Sequence, residues 1–348
     1  MKIVMLFIQF INFINNTDSM QAESFYNKAS KFYKESNLDS SSHYYILAKH
    51  KFQKINDNEK KNRCNIDLGY NYILKGDYDK AENILTNGIK NCIDELGMNN
   101  AQTASMYGTL GVLYNKKGDY YKAITFFVKS VEIKQQIYGH EHISIAQSYN
   151  NLAINYWNIK NVLLCESYHN KALLLKEQQK EPDKASIAVS YNNLGNIFHS
   201  QKQFKKAMEY YNKSLMLKLE NYDQNQLSIA NTYLNIAQLH LDMDSLKNVE
   251  QFYNNAFQIY KEKFLKKNPA TAQAHIYKSE YYLKTGNFHE ALSCYQIAII
   301  NNITDFNELN FYYNPLIKYN TAISDYVILL DTFTKKAITL FKYYNLKN

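Results

Sequence analysis

One spacing constrains this chain more than any other feature. The turn Gly76-Asp77-Tyr78 returns 42 residues later as Gly118-Asp119-Tyr120. Further steps of 42 reach Lys160-Asn161-Val162, Lys202-Gln203-Phe204, Asp244-Ser245-Leu246 and Gly286-Asn287-Phe288. The flanking columns keep the same step. Before the turns stand a large apolar residue (Leu68, Leu110, Leu152, Leu194, Ile236, broken at Lys278), a small one (Gly69, Gly111, Ala153, Gly195, Ala237, Ser279) and an aromatic one (Tyr72, Tyr114, Tyr156, Phe198, His240, Tyr282). After the turns come small residues from Ala81 to Ala291, then a bulky column of Ile84, Phe126, Tyr168, Tyr210, Phe252 and Cys294. A unit that recurs at one fixed step is a supersecondary block that buries its apolar face against the next copy.

The block reads as a helical hairpin. A large, a small and an aromatic residue at i, i+1 and i+4 share one helical face, and the small position admits a second helix at close range. The 348 residues include only 10 Gly and 3 Pro. A sheet protein needs turn formers about every 8–12 residues, and this chain lacks them. A seventh block precedes the six, two residues out of step. Ala29 and Phe32 lie on its first helix, Tyr44, Tyr45 and Ala48 on its second, and its turn is near Ser36-Asn37-Leu38. The sequence therefore predicts an all-α repeat array over residues 21–302, with turns near 36, 76, 118, 160, 202, 244 and 286. A linker and a C-terminal amphipathic helix follow in 303–348.

The remaining features exclude more than they suggest. The net charge is +8, but acidic residues are interspersed and lysine pairs such as Lys205-Lys206 read as solvated helix ends. Without a concentrated basic patch, nucleic acid is not an expected partner. Cys64, Cys92, Cys165 and Cys294 form no CxxC pair, so neither a disulfide framework nor a zinc site is expected, and two of them fall on packing columns. His140-Glu141-His142 lacks the spacing that sets two histidines on one helical face, and it sits in a link between blocks. No glycine-rich phosphate loop is present. No cofactor, metal or catalytic constellation is expected.

The N-terminus leaves two readings open. Lys2 precedes an apolar run from Ile3 to Ile14, interrupted by Gln9 and Asn12. Residues 1–19 resemble a secretory signal segment, although no small-residue cleavage site follows. They read equally as an untranslated stretch ahead of a start at Met20. The first reading exports the protein and the second leaves it in the cytoplasm. The run is too short to span a membrane.

The columns resemble tetratricopeptide repeats, and specifically the 42-residue type of kinesin light chains. Ser148-Tyr149-Asn150-Asn151-Leu152-Ala153 and Ser190-Tyr191-Asn192-Asn193-Leu194-Gly195 carry the likeness, together with the links Gly139-His140-Glu141-His142 and Pro182-Asp183. The resemblance implies a right-handed superhelical solenoid of about seven hairpins plus the C-terminal helix, with a peptide or protein as partner and no enzymatic activity. A second resemblance concerns Ala291–Gln296, Asp305-Phe306-Asn307, Asn314-Pro315 and the helix bearing Leu329, Leu330, Lys336 and Ala337. This segment is similar to the one that joins the repeats of bacterial TPR–CHAT proteins to their caspase-like domain. It implies an alternative role as the regulatory or sensor portion of a CHAT-type protease system.

In a solenoid of this type, first helices line the concave groove. The register places Asn150, Asn151, Asn192, Asn193 and Asn235 on that lining, with Asn196 and Gln238 one turn further on. An amide donates and accepts, so it can pair with the backbone of an extended peptide. Resemblance to kinesin light chains suggests that role for Asn151, Asn193 and Asn235. The competing reading is that these residues merely solvate an exposed face, at a cost of about 0.6 kcal/mol each relative to Ala. Trp157 reads either as a groove anchor or as packing against the next hairpin.

Overall fold

The computed structural model describes residues 2–220, 222–264, 266–317 and 321–347. Of residues 2–16, 222–225, 326 and 347 it describes the backbone alone. The described chain forms two compact units that divide between Pro182 and Asp183. The first contains α1 (Lys2–Lys34), α2 (Leu38–Lys54), α3 (Asn58–Lys75), α4 (Tyr78–Leu96), α5 (Ala101–Lys116), α6 (Tyr120–Tyr138), α7 (Ala146–Asn158) and α8 (Val162–Glu177). The second contains α9 (Lys184–Ser200), α10 (Phe204–Leu219), α11 (Tyr222–Asp242), α12 (Val249–Lys263), α13 (Pro269–Lys284), α14 (Phe288–Asn302) and α15 (Tyr326–Lys347). Consecutive pairs form four hairpins and then three, as the periodicity predicts. No β-strand occurs among the described residues, only an isolated bridge between Ile303 and Ile323.

Each hairpin turn works by the same device. Ser36, Gly76, Gly118, Lys160, Lys202, Asp244 and Gly286 all adopt the left-handed conformation, with φ between 53° and 80°. The next residue's N–H then reaches back to the carbonyl of the first helix's aromatic. Asp77 N–H bonds Tyr72 O at 2.9 Å, Asn161 N–H bonds Tyr156 O at 2.8 Å, and Gln203 N–H bonds Phe198 O at 2.8 Å. This closure satisfies carbonyls that a helix end leaves open. Four of the seven turns use a residue other than glycine, at about 1–2 kcal/mol each for the left-handed backbone. The following residue often caps the next helix: Asp119 Oδ1 accepts Lys122 N–H at 3.1 Å and Asn161 Oδ1 accepts Leu164 N–H at 3.2 Å.

Inside the hairpins the small column receives a side chain that the sequence reading does not single out. It lies nine residues past the turn: Leu85, Phe127, His169, Tyr211, Tyr253 and Tyr295, all buried. A Cβ on Gly111 would stand 2.7 Å from the Phe127 ring, and one on Gly195 would stand 2.5 Å from the Tyr211 ring. The small residue is thus the space that the second helix's large side chain fills. The eighth position, which the sequence reading favours, does something else. It stacks on the first helix's aromatic, as in Phe32–Tyr44 (5.5 Å between centroids), Tyr156–Tyr168 (5.4 Å) and Phe198–Tyr210 (5.2 Å). His240 keeps this role by stacking on Phe252 at 5.7 Å. All four cysteines are free and buried.

At the N-terminus, α1 carries the first hairpin's leading helix. Asp18 is buried between Lys51 Nζ (2.7 Å) and Lys54 Nζ (2.8 Å). The side chains of the apolar run 3–14 lie outside the described residues. At the other end, α15 packs on α14, where Leu329 joins Ile299 and Ile303. Lysines hold the intervening segment. Lys267 Nζ donates to the carbonyls of Ile303, Thr304 and Phe306 at 2.8, 2.9 and 2.5 Å. Buried Lys336 Nζ donates to Gln296 Oε1 (2.6 Å), Asn314 Oδ1 (2.7 Å) and Tyr313 O (3.3 Å). The opposite face of α15 is exposed and apolar, with Val327, Leu330, Ile338 and Phe341 spaced along one side. Among the described residues no helix is long and apolar enough to cross a membrane.

Candidate functional site

First helices carry the candidate residues because their outward faces are not consumed by hairpin packing. In the first unit, three candidates lie on α7. Asn150 turns inward and its Oδ1 pairs with Nδ1 of buried His169 at 3.2 Å. Burial foremost, and then the nearby Lys176 charge, push that imidazole down to about 4. Asn151 Oδ1 accepts from Gln147 Nε2 at 3.3 Å, and its carbonyl accepts from Asn155 Nδ2 at 2.8 Å. Asn155 in turn accepts from Asn115 Nδ2 on α5 at 3.0 Å. Trp157 is half-buried. Amides here tie one first helix to the next.

The second unit repeats that tie and adds a cleft. Asn192 Oδ1 on α9 accepts from Asn235 Nδ2 on α11 at 3.1 Å and from Thr232 Oγ1 at 3.2 Å. Asn193, half-buried, lies beside them on α9. Next to this tie opens a cleft of about 710 Å³, whose lining includes Asn196, Asn235 and Gln238, three of the residues expected from the register. It also includes His199, Tyr211, Asp242, Lys202, Phe204, Tyr277 and Lys284.

The cleft wall is a run of hydrogen bonds. Tyr211 Oη donates to Asn196 Oδ1 at 2.8 Å and lies 3.4 Å from His199 Nδ1. His199 Nε2 meets Asp242 Oδ2 at 2.8 Å, joining α9 to α11. Gln238 Nε2 donates to Asp242 Oδ1 at 3.4 Å. Gln238 Oε1 is buried and has no partner among the described residues. Burial, reinforced by the Asp242 charge, drives the Tyr211 hydroxyl well above the ordinary phenol range, so it stays a donor at neutral pH. Lys284 is engaged with Leu241 O and Asp244 Oδ1, both at 2.6 Å. The arrangement offers amide, carboxylate and hydroxyl groups with apolar ring surface.

The sequence reading found three of the cleft's amides and missed His199, Tyr211 and Asp242. Two signals were present. His199 occupies the same repeat position as Trp157, and Tyr211 belongs to the buried ninth column. The His140-Glu141-His142 link has a structural part: His142 Nδ1 accepts Ser144 N–H at 3.2 Å and its ring stacks on Tyr138 at 4.6 Å.

A tetratricopeptide repeat family model matches residues 102–162, 144–218 and 228–299, together more than half of the chain. No curated protein matches the sequence. Several solved structures match the fold. The apo form of the quorum sensor NprR from B. thuringiensis does so with a TM-score of 0.61 at 14% identity, covering 95% of this chain and 95% of that one. The apo form of RapI gives a TM-score of 0.59 at 20% identity over 80% of this chain and 97% of that one. A putative kinesin light chain from Podosopora anserina gives 0.51 at 15% identity over 59% of this chain and 97% of that one. At such identities the likeness shows the fold alone.

Proposed function

The chain belongs to the tetratricopeptide repeat family, and we propose that it is a non-catalytic scaffold holding an extended segment of a partner polypeptide in the cleft of its second unit. One observation carries this reading. Asn196, Asn235 and Gln238, on two successive first helices, line a single open cleft of about 710 Å³. An amide both donates and accepts, so amides lining one cleft can pair with backbone N–H and C=O groups of an extended chain. NprR, described as a quorum sensor, and RapI share the fold. A partner-responsive role is in keeping with that likeness. The test is selection from a random-peptide display library, followed by titration of the selected peptide. Asn196→Ala with Gln238→Ala is expected to weaken binding at least tenfold while helical content stays intact. Unchanged affinity would remove the cleft from the reading.

A second reading rests on α15. Its outward stripe of Val327, Leu330, Ile338 and Phe341 is the apolar face expected of a helix that docks on a further domain, such as a CHAT-type protease domain. A hydrophobic dye should bind the chain and be released by Leu330→Lys with Phe341→Lys. A chain that binds no dye rules this reading out.

A further inference from the structure

The groove column that carries Asn193 and Asn235 in the second unit is occupied by different chemistry at the start of the first. At the corresponding repeat positions stand Asp67 on α3 and Thr109 on α5, and Tyr70 takes the place of Asn196. These residues line a small cleft of about 210 Å³ together with Tyr33, Tyr45 and Asn71. At roughly 30 Å³ per water-sized group, it has room for one side chain rather than for a folded surface.

Two polar groups in this cleft lack what they need. Asn71 is fully buried. Its Nδ2 is satisfied by Ser41 Oγ at 2.8 Å and Ser42 Oγ at 3.4 Å. Its Oδ1 is buried and has no partner among the described residues. A buried acceptor left without a donor is costly, so the position calls for an N–H or O–H from outside. Asp67 is the second group. Its Oδ2 accepts from Tyr26 Oη at 2.7 Å, and no lysine or arginine makes an ion pair with it among the described residues. Arg63, one turn earlier, lies instead over the Tyr26 ring at 5.4 Å. Burial holds the Asp67 carboxyl above its ordinary range, against the pull of Tyr26 and Arg63. Tyr33 and Tyr70 flank the opening with ring centroids 6.4 Å apart and planes inclined by 55°.

A buried acceptor, a carboxylate that has a hydrogen bond from Tyr26 but no ion pair among the described residues, and tyrosine rings together select one ligand chemistry. The ligand must bring positive charge, N–H donors and a short apolar stem. We propose that this cleft is a seat for a primary alkylammonium group, with Asn71 Oδ1 and Asp67 receiving its N–H donors and the tyrosine rings facing its charge and stem. Cation–π attraction and charge-assisted hydrogen bonding both act on such a group. The site lies in the first unit and does not rest on the reading of the second unit's cleft. The ammonium has two sources: the lysine side chain of a partner protein or a free diamine.

Full-length protein titrated by ligand-detected NMR separates the outcomes. The probes are Nα-acetyl-lysine methylamide, its norleucine analogue, its trimethyl-lysine analogue and 1,5-diaminopentane. Saturable binding of a primary amine is expected, at least tenfold weaker for the norleucine analogue and weakened for the trimethylated one, which has no N–H for Asn71. Asp67→Asn should reduce primary-amine binding at least tenfold with an unchanged circular dichroism spectrum. If that variant misfolds, Tyr70→Leu, at a half-exposed rim position, carries the same expectation. Tighter binding of the lysine derivative assigns the seat to a partner's lysine, and tighter binding of the diamine assigns it to a free amine. Equal binding of the norleucine analogue, or no saturation by any amine, overturns the proposal.

Discussion

The seven hairpins and the segment after Asn302 are held together in opposite ways. In the hairpins, a buried ring or leucine fills the space over a small residue, and the same contact returns at every period. Between α14 and α15 there is no period. There, two lysine ammonium groups, Lys267 and Lys336, gather six oxygens, four of them backbone carbonyls. The contrast follows from what each region can bury. A hairpin presents a continuous apolar face, whose burial is worth roughly 25 cal/mol per Å². The irregular segment leaves carbonyls without helical partners, and they must find donors elsewhere. A lysine with three donors meets that need, and for Lys336 burial lowers the ammonium to about 8.

The sharpest way to break this contrast is Lys336→Met. It leaves buried Gln296 Oε1 without its donor, at about 1–3 kcal/mol for a buried group left unmet, and it cuts the tie to Asn314 Oδ1 and Tyr313 O. We expect hydrogen exchange to accelerate in residues 304–317 while the hairpin helices keep their protection. Equal acceleration in α5 or α9 would mean that the segment is not held separately.

The second test lies inside the hairpin column. His169 sits where other repeats place Leu, Phe or Tyr, and its folded pKa is lowered to about 4 from 6.5. A lowered folded pKa means that the unfolded state takes up the proton first. The contribution of His169 is therefore complete above pH 6.5 and is lost as pH falls towards about 4, by roughly 3 kcal/mol at 1.36 kcal/mol per unit. His275, half-buried with its Nδ1 enclosed and also lowered to about 4 by desolvation foremost, behaves the same way. His169→Phe should flatten part of the acid-induced drop in urea midpoint between pH 6.5 and 4.5, and His275 should retain the rest. An unchanged acid profile would show that His169 is accessible to protons in the folded chain.

The smallest effect concerns the turns. Lys202 adopts φ 59° where three other turns have glycine. Lys202→Gly removes the strain of about 1–2 kcal/mol but adds unfolded-chain entropy of about 0.5–1 kcal/mol. A net gain of about 0.5–1 kcal/mol should appear as a modest rise in the thermal midpoint. A fall would show that the turn does not pay for its backbone in this way.

Much of this molecule was legible from periodicity, and the legible parts share a cause. The positions of the hairpins, the turn residues and the small column repeat because each copy meets the same neighbour geometry. The stacked pairs such as Tyr156–Tyr168 were readable as columns of like residues. The buried ninth column was less readable, because it mixes Leu85, Phe127, His169 and Tyr211 and only the glycine opposite shows what it does. Among the site residues, Asn196, Asn235 and Gln238 were visible as outward amides. That Asn150 faces a histidine, while Asn192 and Asn235 face each other, was not visible, since an amide at one register position can turn either way.

By itself, then, the sequence determined the all-α class, the hairpins and the turn and small-residue columns that join them. Those follow from a local rule, the 42-residue step, applied to side-chain size and polarity. Tertiary structure alone decided which polar groups find partners. The His199–Asp242 contact joins residues 43 apart, and the cage around Asn71 draws on α1, α2, α3 and α5. Such meetings depend on how neighbouring hairpins stack. No local pattern encodes them, because hydrogen bonds are satisfied in space and not along the chain.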